Sequence, residues 1–264
     1  MAYLQHITDL YHLQGDFGSL EPDPEHNLGI QHSLEVMAIM DLRFMVIGRP
    51  GPTLGVWKRF RASQDAWQQG RLKGVETISG IPRSLLDVFA YVFDQAYQSD
   101  CSTEANLWVW PGELGSFREC QIWEAWRFAA ILNLRRWQTL PHNPSSNKPD
   151  ALRPASATRE VILFRLLSCM NAVVQYGPEN RDPLAVSSLL YPIVAAGLEV
   201  SLLRAHPEWK TLLDNISDGL IREGPKKPRI QSLFEILKDA WATVGDYFDI
   251  EEATRVRGLE IALF

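Results

Sequence analysis

The stretch Ser187–Ala205, SSLLYPIVAAGLEVSLLRA, constrains this chain more than any other. It is a run of leucine, isoleucine, valine and alanine, broken by Tyr191-Pro192, Gly197 and a lone acid at Glu199. With Glu199 and Arg204 inside it, it is a poor membrane span and reads as a helix buried on most faces. Pro192 is compatible with that reading if it lies in a first turn or at a kink. The remaining chain must then supply walls around this helix. A carboxylate at Glu199 demands a partner if it is buried, because an unpaired buried charge is costly or becomes protonated. Arg127 and Arg165, on other apolar helices, are the expected partners.

A chain of 264 residues with 46% hydrophobic residues can bury a sizeable core. Its net charge of −6 argues against a broad nucleic-acid surface, where basic clusters are expected. The opening residues lack the basic start and uninterrupted apolar core of a signal peptide, and no stretch has the length and apolarity of a membrane span. Cys101, Cys120 and Cys169 lie in no CxxC and at no metal-ligand spacing with histidine. They read as reduced thiols, so the expected location is intracellular, cytoplasm or nucleus, with no metal and no cofactor.

Taken in order, Ala2–Leu13 has a short helical pattern, and GSLEPDPEHNLG connects it onward. From Ile30 to Phe44 apolar residues recur three or four apart, and the RPGP run after Gly48 stops that helix. The basic and aromatic run WKRFRASQDAW reads as an amphipathic turn or short helix rather than a nucleic-acid patch. Further helices are predicted from Pro82, over Glu113–Trp137, over Thr158–Gln175, over Glu208–Leu220, over Ile230–Val244 and over Ile250–Ala262. Residues 139–157, rich in proline, serine and asparagine, predict a long flexible surface loop. No alternating strand pattern of convincing length appears. The expectation is an all-α, single-domain multi-helix bundle over residues 1–264, with a central buried helix and long surface loops.

Conventional catalytic motifs are missing: there is no GxSxG, HExxH, P-loop or dinucleotide fingerprint. The acids DIEE, Asp249–Glu252, lie at a helix start and read as capping residues. Candidate catalytic groups are therefore isolated ones: Asp41 beside an apolar stripe, with Arg43 close in sequence; Glu199 in the central helix; and His32, which leads into the methionine-rich helix. Candidate ligand contacts are Met37, Met40 and Met45, whose side chains adapt to irregular shapes. Trp126, Tyr191 and Trp241 join them, each with a ring face and one polar tip. For every one of these residues, structural service in the core or in an ion pair is the competing reading.

Several blocks in a fixed order resemble the regulatory domain that follows the DNA-binding head of fungal zinc-binuclear-cluster transcription factors. They are HLQGDF (His12–Phe17), LEVMAIMDLRFMVIGRP (Leu34–Pro50), SGIPRSLLDVFAYV (Ser79–Val92), WEAWRFAAILNLRR (Trp123–Arg136), LLYPIVAAGLEV (Leu189–Val200), LFEILKDAWATVGDYFDIEE (Leu233–Glu252) and RVRGLEIALF (Arg255–Phe264). The resemblance implies a single helical ligand-sensing or autoregulatory module, able to contact coactivators or to form a homodimer. The family's head needs six cysteines around two zinc ions, and three cysteines cannot build it, so direct nucleic-acid contact by that route is not expected. Two functions follow as expectations. One is a helical domain binding an apolar small metabolite. The other is a metal-free enzyme of secondary metabolism, a cyclase, pericyclase or isomerase of a terpenoid or polyketide, working by orientation and a few polar groups.

Overall fold

The computed structural model describes residues 28–49, 53–66, 74–76, 78–95, 102–138, 157–176, 188–223, 228–243 and 248–264. The segment expected as a helix at Ala2–Leu13, and all but the last residue of the loop expected over 139–157, lie outside the described residues. Eleven helices are present among those described: α1 (Leu28–Asp41), α2 (Val56–Ala66), α3 (Arg83–Gln95), α4 (Ser102–Val109), α5 (Phe117–Gln138), α6 (Arg159–Gln175), α7 (Leu190–Gly197), α8 (Val200–Ala205), α9 (Pro207–Glu223), α10 (Pro228–Thr243) and α11 (Ile250–Val256). The architecture is all-α, with one small addition. Strands β1 (Val46–Ile47) and β2 (Ile261–Ala262) pair antiparallel, Val46 opposite Ala262 and Ile47 opposite Ile261.

The core is built on α5. From Ile122 to Arg135 this helix is buried on nearly every face, as its mainly apolar and aromatic composition requires. α6 runs along it and α7 packs on both. Arg135 looks out of place in that core, but Glu104 of α4 receives it with two bonds, of 2.6 and 3.0 Å, and the Ala157 carbonyl accepts a third. Four of the buried tryptophans direct their N–H groups at acceptors around this core. Trp123 donates to the Gly80 carbonyl, Trp126 to that of Ser188, Trp241 to that of Gly197, and Trp110 to the Ser84 hydroxyl. Burying so large a ring without satisfying its donor would forfeit part of the gain.

The Ser187–Ala205 stretch is two helices, not one. All eight residues of α7 are buried, and Pro192 sits in its first turn, where its missing N–H costs nothing. The break falls at Leu198–Glu199, where Glu199 has φ −84° and ψ 56°. Two features cause it. The Gly197 carbonyl accepts the Trp241 indole N–H at 2.6 Å, which competes for the acceptor a continuous helix would offer to Ser201. The bare Gly197 Cα also lets Leu237 and Trp241 approach to within 3.2 and 3.3 Å of where a Cβ would stand.

The final helix also ends earlier than its pattern predicts. α11 stops at Val256, and Gly258 at φ +64° turns the chain into β2. Asp249 caps α11 by accepting the Glu252 N–H, as its position in DIEE suggests. Glu251 instead reaches across to the Gly48 N–H at 2.8 Å. Burial pushes the Glu251 carboxyl above its ordinary value of 4.5; the Gly48 bond and Arg255 oppose this only in part. Between the unfolded and the folded value, the folded protein therefore holds a proton that the unfolded chain has released. Stability from this group is fully present below the unfolded value and is lost as pH rises through the folded one. Glu251→Gln keeps an acceptor for Gly48 and removes the buried charge. Urea unfolding between pH 4 and pH 7 should show the variant gaining on the parent as pH rises. Parallel pH profiles would disprove this account of Glu251.

Candidate functional site

Asp41, the last residue of α1, shows how the sequence builds one side of a surface cleft. Its carboxylate is buried and accepts three bonds: from Arg49 at 2.7 Å, from the Leu54 N–H at 2.8 Å and from the Val56 N–H at 2.9 Å. Val56 opens α2, so the carboxylate serves the electropositive start of that helix. Arg49 in turn donates to the Met40 and Asp41 carbonyls at the electronegative end of α1. One ion pair thus joins two helix termini of opposite polarity. Arg49, rather than Arg43, is the partner of Asp41. The Arg43 guanidinium lies 5.5 Å from the Trp137 ring centre and 5.6 Å from that of Phe44.

The cleft beside this pair has a floor of Trp57, Phe89, Ala90 and Phe93, and Asp41, Arg43, Thr53 and Lys58 contribute to its polar lining. Its volume is about 10 Å³, room for roughly one water molecule. Trp57 is fixed from below by Asp87, which accepts its indole N–H at 2.8 Å and grips Arg61 with two bonds of 2.9 Å. The basic-aromatic run around Trp57 therefore spends Arg61 and the rings of Trp57 and Phe60 on the fold. From the cleft a file of rings leads inward. Phe93 meets Phe89 at 5.6 Å between centroids, Phe89 meets Trp126 at 6.1 Å, and Trp126 meets Tyr191 of α7 at 4.9 Å. The Tyr191 hydroxyl accepts a 3.0 Å bond from Asn133, and burial raises its pKa strongly, so it stays a neutral phenol.

A second polar cluster surrounds Glu199 at the α7–α8 break. Its partner is Arg159, at 2.5 Å, not Arg127 or Arg165. Arg127 pairs with Glu124 one turn away, and Arg165 is exposed. Glu199 is 1% exposed, and its second oxygen, Oε1, has no hydrogen-bond partner. Close in sequence to this pair, His206 stacks on Trp209 at 3.8 Å and contacts Glu160 at 2.8 Å and Glu208 at 3.3 Å. The two partners of the Glu199 pair differ in burial. The Arg159 side chain is 37% exposed and can rehydrate, whereas Glu199 cannot. Glu199→Gln should therefore cost about 1 kcal/mol, while Arg159→Met, which strands a buried carboxylate, should cost about 3 kcal/mol. Equal losses in chemical denaturation would refute a one-sided burial cost.

The structure brings Trp126 and Tyr191 together and puts Asp41 and Glu199 in separate polar clusters. Met37 and Met45 are buried in the core, and Met40 is half-buried against it. Trp241 lies beneath the end of α7. His32 belongs to α1, but its side chain falls outside the described residues. Cys169 is pushed up to about 11, chiefly by burial, which keeps it a thiol. Among the described residues no group of three or more histidine, cysteine, aspartate and glutamate side chains could hold a metal, and no helix is long and apolar enough to cross a membrane.

The residues sequence reasoning missed are Arg49, Arg159, Trp57, Phe89 and Phe93. Arg159 left a readable signal, since a cation at the first position of a helix opposes the dipole and so calls for a nearby acid. Arg49, next to a glycine and a proline, left none. Comparisons of the chain with protein-family models, with curated proteins and with solved structures found no match.

Proposed function

We propose that this chain is a ligand-responsive regulatory module, of the kind the fungal regulator resemblance implies, and that an apolar small metabolite bearing an anionic group enters at the Trp57–Phe93 cleft. The observation that carries this reading is the cleft's construction. It has an aromatic floor, two cations in Arg43 and Lys58 at its lining, and a file of rings leading from Phe93 to Tyr191 on the buried helix α7. A metabolite-sized ligand needs several hundred cubic ångströms, so it must widen a cleft whose volume is about 10 Å³. Binding that must rearrange the protein is the property a sensor uses, because a ligand shifts an equilibrium only through its different affinity for two states.

The enzyme reading is less well supported. Folding a terpenoid or polyketide into a reactive shape favours a preformed cavity lined by polar groups that are not already committed. Asp41 has three partners and the Tyr191 hydroxyl is engaged with Asn133.

The test is equilibrium dialysis of the purified protein against an organic extract of fungal culture, followed by mass spectrometry. A compound retained unchanged, and released by Lys58→Glu, is the expected result. Appearance of a new product would favour the enzyme instead, and no retained or altered compound would remove both readings.

A further inference from the structure

We infer that the C-terminal segment Leu259–Phe264 is a latch on the cleft, which must loosen for a ligand to enter. This rests on the cleft being the binding site. Asp41, Leu42 and Arg43 form one wall of the cleft, and the chain runs directly from them through Phe44 and Met45 into β1. That wall is held from outside by the C-terminus. β2 pairs with β1, the Leu263 N–H donates to the Met45 carbonyl at 2.9 Å, and the Gly48 N–H donates to Glu251 of α11 at 2.8 Å.

Three observations support a catch. First, the ladder is only two residues long in each strand, so few backbone bonds separate the closed from the open form; the buried side chains of Ile261 and Leu263 must leave the core with them. Second, the wall is strained. Phe44 sits at φ +68°, a conformation a bulky side chain rarely adopts, and its ring is pinned edge-on to Phe93 of the cleft floor at 4.8 Å. Third, the seat of the latch is cut to fit one strand. Gly48 has φ +76°, and a Cβ there would stand 2.0 Å from the Leu259 carbonyl oxygen. A strained wall held by a short clasp relaxes when the clasp opens, and the relaxation moves Phe44 away from the floor residue Phe93.

The experiment uses 2-naphthoate, a flat apolar carboxylate, as the probe. Its binding to the full chain is measured by calorimetry, and backbone amide hydrogen exchange is followed with and without it. The Leu263 amide, held within the latch, and the Gly48 amide, held by Glu251 of the adjoining α11, should exchange at least tenfold faster in the bound protein. Val46 and Ala262 stand opposite one another, so Val46→Cys/Ala262→Cys can close a disulfide across the latch. The oxidised form should bind the probe at least tenfold more weakly than the reduced form. Binding that is abolished by Lys58→Glu, yet leaves exchange and the disulfide comparison unchanged, overturns the latch and keeps the cleft. Absence of binding, or binding that ignores Lys58→Glu, overturns both.

Discussion

Trp126→Ala should lower stability by about 3–5 kcal/mol, the range for emptying a buried aromatic site in a well-packed core. Trp126 has no exposed surface, stacks between Phe89 and Tyr191, and donates to the Ser188 carbonyl at 2.6 Å. The truncation removes its ring contacts on both sides and leaves that carbonyl, at the entry to α7, without its donor. Trp126→Phe separates the two losses. It keeps most of the ring and forfeits the hydrogen bond, so it should cost about 1–2 kcal/mol. Urea denaturation of the three proteins measures both. A Trp126→Ala loss below about 1 kcal/mol would mean that the ring file is loosely packed, contrary to its burial. The same pair bears on function. If the file conveys binding from Phe93 to α7, Trp126→Phe should retain cleft binding while reducing the protection of α7 amides that binding brings.

Asp41→Ala should be nearly as damaging, by about 3 kcal/mol, because it abandons three donors at once and one of them is a guanidinium only 8% exposed. Asp41→Asn decides between a structural and a chemical role for the carboxylate. The amide keeps one acceptor oxygen but turns an N–H₂ towards donors already aimed at that site. If Asp41 is the clamp between α1 and α2, the asparagine variant melts several degrees lower, a shift of roughly 2–4 °C per kcal/mol for a chain of this size. An unchanged melting temperature, with probe binding or turnover lost, would give Asp41 to the site instead. Thermal melts beside calorimetric titration with 2-naphthoate distinguish the two outcomes.

Much of the helical frame was legible because long apolar periodicity leaves few alternatives. The α5 pattern around Ile122, Trp126 and Ala129, and the Thr158 start of α6, were readable to within a few residues. Boundaries failed where a distant side chain intervened. Nothing in LEVSLL announces that Trp241 will take the Gly197 carbonyl and help break the central helix, because the competing donor comes from a helix forty-four positions away. Likewise IALF, apolar and unbroken, reads as helix until it meets the β1 edge. Glu199 was correctly singled out as needing a partner, yet the partners named for it, Arg127 and Arg165, were wrong. Burial of a carboxylate follows from its apolar neighbours in sequence, whereas the arginine that meets it is chosen by how helices pack.

The sequence by itself determined the all-α class, the burial of the Leu190–Val200 stretch and the need of Glu199 for a counter-charge. Those follow from local periodicity and from the cost of stranding charge in an apolar interior. Only the tertiary structure decided that Arg159 answers Glu199 and that Arg49 joins Asp41 across two helix ends. It also decided that the methionines and rings marked for a ligand are mostly packed into the core, and that the C-terminal strand pairs with β1. Each of these is a meeting of residues far apart in the chain, set by the angles at which helices cross, which no local pattern carries.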